Sequence, residues 1–195
     1  MTATIAFINS KGGVGKTTSA VYVGEYLAQT SSVEIVDTDP QASATDWADR
    51  AAEIGEPLRS TLRVANVRSL ARPASDQCDY IVLDTPPGNA AMIDAAIDAA
   101  DLIVVPTRPS SIDVARVWET LRTTAAKPTA VLLVSVVLNT RSLADARAAL
   151  EGEGIAVFDT VIPQREAIKS AFGHRPDRFY GYDDVVSELR TEMGI

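Results

Sequence analysis

Short apolar runs alternate along this chain with stretches whose apolar residues recur every three or four positions. The runs are Thr4–Asn9, Val33–Asp37, Tyr80–Asp84, Leu102–Pro106 and Ala130–Leu138, with a weaker one at Val157–Ile162. Most are continuous and rich in Val and Ile, as strands buried on both faces of a parallel sheet should be. Five helical faces lie between and after them. They are Ala20, Val21, Gly24, Leu27 and Ala28; Ala44, Trp47, Ala48 and Ala51; Ile93, Ala96, Ile97 and Ala100; Val114, Val117, Trp118 and Leu121; and Tyr182, Val185, Val186, Leu189 and Met193. The alternation predicts a doubly wound α/β fold, with a mostly parallel sheet and helices on both faces. Residues Gly55–Asp76 fit least well, with two prolines, four arginines and a faint strand signal at Leu62–Val67.

No repeat or linker divides the pattern, and 195 residues suit one domain, expected to span residues 1–195. The first strand begins almost at the first residue, so no N-terminal DNA-binding extension is expected. The N-terminus lacks the basic start and cleavage site of a secretion signal, and no apolar run approaches the length of a membrane span. The single cysteine, Cys78, excludes a disulfide within the chain. A cytoplasmic protein is expected. The formal net charge of −8 should repel nucleic acid on average, so any contact with DNA requires a local basic patch.

Chemistry concentrates first in Asn9–Ser19, NSKGGVGKTTS. The general phosphate-loop pattern is G-x-x-x-x-G-K-[ST]. Gly15, Lys16 and Thr17 match its end, while Ser10 stands in place of the first glycine. The nucleotide-binding candidates are Lys11, Gly12, Gly13, Val14, Gly15, Lys16, Thr17 and Thr18. Three glycines let backbone N–H groups turn toward one anion, and the helix that follows adds its positive end. Lys16 is expected at the β- and γ-phosphates, and Thr17 at a magnesium ion. Lys11 is a second lysine in a loop that needs only one.

This form of the loop, K-G-G-x-G-K-T-T, resembles the deviant Walker A motif of the ParA/MinD family of P-loop ATPases. Three further segments resemble that family: VEIVDTDPQASAT at Val33–Thr45, DYIVLDTPPG at Asp79–Gly88 and LIVVPTRPSSID at Leu102–Asp113. VIPQREAIKSAF, Val161–Phe172, is similar to its adenine-side region. The likeness spans nearly the whole chain and is nearest to the short, ParF-like ParA proteins of plasmid and chromosome partition. It implies ATP and Mg²⁺ as cofactors and a sandwich dimer, with higher assemblies left open. In such a dimer Lys11 would reach phosphate oxygens held by the other subunit. Lys11, Lys16 and Asp39 are then the catalytic candidates, with adenine against Pro163, Gln164 and Arg165.

Asp84 closes its strand at the carboxyl edge, where open α/β sheets bind ligands, and is expected to hold Mg²⁺. Asp37 and Asp39 are two apart and point the same way if the segment is extended. The resemblance implies that Asp39 orients the attacking water and that Asp37 supports the metal; Asp37 is equally placed to satisfy backbone groups at a strand end. Positioning is the safer role for an ordinary aspartate at neutral pH. ATP is favoured over GTP because Asn139–Ser142, NTRS, lacks the acid of the guanine motif N-K-x-D. No arginine can be assigned as a finger in cis, so stimulation by a partner is expected.

Arg165, Lys169, His174, Arg175 and Arg178 lie close together, against Glu166 and Asp177. Arg165, Lys169, Arg175 and Arg178 are candidate DNA contacts without sequence preference, and a merely solvated basic face is the alternative. The resemblance implies a ParB- or ParG-like centromere-binding partner, and nucleoid association with ATP bound. Two other readings stand beside it. A MinD-like membrane switch needs a basic amphipathic C-terminus, whereas DDVVSELRTEMGI is acidic. An ATP-dependent ligase of related fold would depend on a small molecule instead of DNA.

Overall fold

The computed structural model describes residues 2–70 and 78–192. Seven strands form one sheet: β1 (Ala3–Phe7), β2 (Val33–Asp37), β3 (Thr61–Val64), β4 (Tyr80–Asp84), β5 (Leu102–Thr107), β6 (Thr129–Val136) and β7 (Ile162–Pro163). Eight helices accompany them among the described residues: α1 (Lys16–Leu27), α2 (Ser43–Glu53), α3 (Val67–Leu70), α4 (Ala90–Ala99), α5 (Ser111–Thr124), α6 (Arg141–Gly152), α7 (Glu166–Lys169) and α8 (Tyr182–Glu192). The strand order is β3-β2-β4-β1-β5-β6-β7, and the pairings are parallel. The sheet is doubly wound, as the alternation predicts.

The period of two along each strand sorts the core. Ile5 and Phe7 of β1, Val82 of β4, and Leu132 and Val134 of β6 face one way, against Val21, Trp47 and Val185 of α1, α2 and α8. Ala6, Ile81, Leu83, Val131 and Leu133 face the other way, against Ile93 of α4, Val117 of α5 and Leu150 of α6. Both faces are covered, so central strands can be apolar at every position. At Gly24 a Cβ would lie 2.8 Å from Ile35 Cδ1, so α1 approaches β2 closely.

Several boundaries differ from the sequence reading. The run Ala130–Leu138 stops pairing at Val136, because Ser135 adopts a left-handed φ of 54° and the β6–β7 register shifts between Val134 and Val136. Val137 and Leu138 are exposed beyond it. Within Val157–Ile162, Val157 makes an isolated bridge to Val131, and Ile162 begins β7. The faint signal at Leu62–Val67 is β3, and Val67 already belongs to α3. Helix α6 has no counterpart among the expected helices. Its buried residues are only Ala146 and Leu150, too thin a stripe to register against its polar residues. Met193, and residues 71–76 of the poorly fitting stretch, lie outside the described residues.

The tight crossing of α1 on β2 is testable. Gly24→Val should lower stability by about 1–3 kcal/mol, the ordinary cost of overpacking. A urea melt should show a lower midpoint at unchanged slope.

Candidate functional site

β1 lies at the centre of the sheet, between β4 and β5, and the chain leaves its carboxyl end into the glycine loop. Gly13 and Gly15 have φ of 72° and 87°, a region that side chains enter only under strain. Gly15 is the N-cap of α1, and no side chain caps that helix. The first N–H groups of α1 therefore lack side-chain acceptors and present a positive end at the loop. Asn9 fixes the loop mouth: its amide donates to the Pro106 carbonyl at 2.8 Å and its oxygen accepts from Lys11 N–H at 2.9 Å.

Lys16 opens α1 and is 7% exposed. Its ammonium donates to the Lys11 carbonyl at 2.9 Å. Burial lowers its pKa, and the negative charges of Asp84 and Asp39 act against that shift. The Lys11 ammonium turns the other way and pairs with Asp113 in the first turn of α5.

Asp84 ends β4 in register with Phe7 of β1 and Asp37 of β2, fully buried. Neither carboxylate oxygen has a hydrogen-bond partner among the described residues. Burial pushes its pKa up to about 7; the nearby Thr17 hydroxyl favours the charged form without making an aligned bond, Asp37 raises the pKa further and Lys16 opposes it. A buried carboxylate without donors is costly unless a cation completes it. Among the described residues no group of three or more acidic, His or Cys side chains could hold a metal by themselves. One carboxylate, the Thr17 hydroxyl and substrate oxygens are the set that suits Mg²⁺, which keeps much of its water and needs few protein ligands.

Asp37 is differently occupied. Its Oδ1 accepts from Asp39 N–H at 3.0 Å, and its Oδ2 accepts from the N–H and hydroxyl of Thr45 at 2.9 and 2.8 Å. Of the two roles open to it, the structure displays the backbone-satisfying one: Asp37 shapes the loop that carries Asp39. Asp39 lines the cavity; its Oδ1 accepts from Gln41 N–H at 2.9 Å. Its Oδ2 has no protein donor among the described residues.

Lys16, Thr17 and Asp39 meet in a cavity of about 500 Å³, whose lining does not include Lys11, Asp37 or Asp84. Gly12 through Thr18 line it, together with Asp39, Pro87, Pro163 and Arg165. Gln164 does not line it; its N–H donates to the Val136 carbonyl at 2.8 Å and its side chain is exposed. Ser135, the strained bulge residue, and Trp47, Phe172 and Tyr182 also line the cavity, and the sequence reading named none of them as site residues. Neither did it name Arg108, whose guanidinium donates to the Gly13 carbonyl at 2.7 Å and which borders the same space. A cation directly after a strand at the carboxyl edge was the available signal.

The basic candidates divide around α7. Arg165 and Lys169 line the nucleotide-sized cavity, and the Arg165 guanidinium lies 5.9 Å from the Tyr180 ring centre. Arg175 and Arg178 line a second cavity of about 580 Å³, with His174 and Arg59. There Arg175 donates to the Pro57 carbonyl at 3.2 Å, and His174 lies 3.2 Å from Glu56. Cys78 is half-buried, and burial raises its thiol pKa.

The Asp84 environment makes a prediction. Its folded pKa is raised, so between about pH 4 and about 7 the native state holds a proton that the unfolded chain has lost. Ligand-free stability should fall as pH rises through that window. Asp84→Asn should remove the fall and stabilise the ligand-free protein at pH 8 by about 1–3 kcal/mol, while turnover is lost. Calorimetry in a chelator at pH 5 and pH 8 checks this; the variant's advantage should be larger at pH 8.

The CobQ/CobB/MinD/ParA nucleotide-binding domain family matches residues 5–176. A maintenance of carboxysome distribution protein A from Gloeobacter kilaueensis is 36% identical over 173 residues, covering 86% of this chain and 79% of that one. A ParA protein from Rhizobium radiobacter is 26% identical over 182 residues, covering 86% and 81%. Among solved structures, an ATP complex of a McdA variant from Cyanothece superposes with a TM-score of 0.79 at 21% identity, covering 100% of this chain and 97% of that one, and so shares the fold. The chain belongs to the CobQ/CobB/MinD/ParA nucleotide-binding family and is a P-loop ATPase of the ParA/MinD type.

Proposed function

We propose that this chain is a DNA-partition ATPase that binds MgATP, pairs with a second copy around the nucleotides, holds DNA in that paired state and is reset by slow hydrolysis. The glycine cradle, the uncapped start of α1 and the donor-less Asp84 fit a magnesium-bound triphosphate. Thr17 and Asp84 would hold the ion, which supplies charge neutralisation at the β- and γ-phosphates. Lys16 exchanges the Lys11 carbonyl for phosphate oxygens. Asp39, fixed by Asp37 and Gln41, accepts a hydrogen bond from a water and aligns it. Pro163 and Arg165 border the space left for adenine.

The observation that carries the reading is Lys11: a second ammonium at the mouth of a loop whose anion site already holds Lys16. One triphosphate with Mg²⁺ has little use for it, whereas a shared interface makes subunit affinity depend on nucleotide. The basic groups beside α7 supply the DNA contacts. With about three phosphates per subunit, the salt slope is roughly −2.7 for one copy and about twice that for two. Pairing alone then switches DNA binding from weak to appreciable. A ParB- or ParG-like partner with a basic tail stimulates turnover, drawn by the acidic surface. The likeness to a protein named for carboxysome distribution supports a second form of this reading, in which the cargo is a protein body moved over DNA.

ATP hydrolysis should rise when DNA and the product of the neighbouring gene are added together; turnover that ignores both and requires a small carboxylic acid would favour the ligase reading. In sedimentation with a non-hydrolysable analogue, Lys11→Ala should still bind nucleotide but remain a single copy. DNA affinity against salt should steepen about twofold on addition of the analogue, and an unchanged slope would separate DNA binding from pairing.

A further inference from the structure

Two cations among the described residues bond to backbone carbonyls of the glycine loop. Lys16 belongs to the loop's own motif; Arg108 does not, and its guanidinium donates to the Gly13 carbonyl at 2.7 Å. Arg108 reaches out from a rigid base. β5 runs in parallel register with β1, Ile8 N–H donates to the Val104 carbonyl at 3.0 Å, and the Asn9 amide holds the Pro106 carbonyl. Pro109 disfavours helical backbone at Arg108. No carboxylate among the described residues forms an ion pair with the guanidinium. At the receiving end little else restrains the peptide. Gly13 has a φ of 72°, and apart from its chain neighbours no atom lies within 4 Å of where its Cβ would be. Packing leaves that peptide free to turn, and glycine restrains it least of all residues. The N–H groups of Gly12, Gly13, Val14 and Gly15 donate to no protein acceptor among the described residues.

We propose that Arg108 is a positioning residue for nucleotide binding: by holding the Gly13 carbonyl it sets the Gly13–Val14 peptide with its N–H free for a phosphate oxygen. That peptide is planar and trans, so its C=O and N–H point in opposite directions. A carbonyl bonded to Arg108 turns the Val14 N–H away from the guanidinium, and the buried Val14 side chain, 1% exposed, anchors the far end. The cation also polarises the peptide, which makes its N–H a stronger donor. A cluster of N–H groups without an acceptor relaxes most simply by turning one peptide over, which would present a carbonyl to the arriving anion. Arg108 opposes that turn, so less ordering is left for the nucleotide to drive. The role rests on the reading of the glycine loop as a phosphate cradle and adds to it a residue from outside the motif. It acts through the part of the loop that serves the phosphates ATP and ADP share, and therefore does not discriminate between them.

Titration calorimetry on the whole chain tests this with ADP and with a non-hydrolysable ATP analogue, each with Mg²⁺. Arg108→Met, which keeps the stem and removes the donors, should weaken both about tenfold, the scale of one charge-assisted hydrogen bond, and leave their ratio unchanged. Arg108→Lys, which can still donate to the carbonyl, should recover most of the loss. The deficit should persist at high salt, where general attraction between a cation and a polyphosphate is screened. In turnover KM should rise with kcat little changed, because the loop serves ground state and transition state alike. Arg108 is exposed, so ligand-free melting should match the parent's, whereas a residue that only supports the fold would lower it. The role is overturned if Arg108→Met binds both nucleotides as the parent does, or if the deficit vanishes in salt or is not relieved at all by Arg108→Lys. It is also overturned if only the ATP analogue is weakened, which marks a direct contact with the terminal phosphate. Lys16→Ala separates this role from the cradle reading. If Lys16→Ala binds nucleotide as tightly as the parent, the cradle reading falls and the Arg108 role falls with it; if Lys16→Ala is weakened and Arg108→Met is not, only the Arg108 role falls.

Discussion

The constraint on which the site depends is charge held out of water at the carboxyl edge of β1. Asp84 and Asp37 end neighbouring strands in register, and Lys16 begins the helix opposite. Burial raises the pKa of Asp84, and the charge of Asp37 raises it further. Asp37 is quieted by three protein donors, which also shape the Asp39 loop. Asp84 has none among the described residues, and that asymmetry sets the two aspartates apart. The fold tolerates the imbalance because both faces of the sheet are covered by apolar helices that supply stability elsewhere.

Much of this was legible in the sequence because it is local. A glycine loop between an apolar run and an amphipathic helix marks a phosphate site through backbone geometry alone, and the alternation of continuous apolar runs with amphipathic stretches predicts the doubly wound sheet. What escaped was either weakly patterned or distant. Helix α6 presents too few apolar residues for its period to stand out. The bulge at Ser135 depends on how β6 meets β7, which no run of Val and Leu announces. The engagement of Lys11 joins residues 102 positions apart, and Arg108 reaches Gly13 across 95. A motif names which side chains are present; it does not say which of them are already partnered. The pairing of Lys11 with Asp113 and the filled carboxylate of Asp37 are facts of that second kind.

Helix α7 is four residues long and stands between two concavities. Ile168 and Lys169 look into the one that holds the phosphate loop, while Ala167 and Ser170 look into the one that holds Arg175 and Arg178. So short a segment has no interior and cannot yield on one side while staying fixed on the other. Any tilt of α7 would reshape both hollows in the same motion. The two hollows thus share a single partition, with α7 as the wall of both.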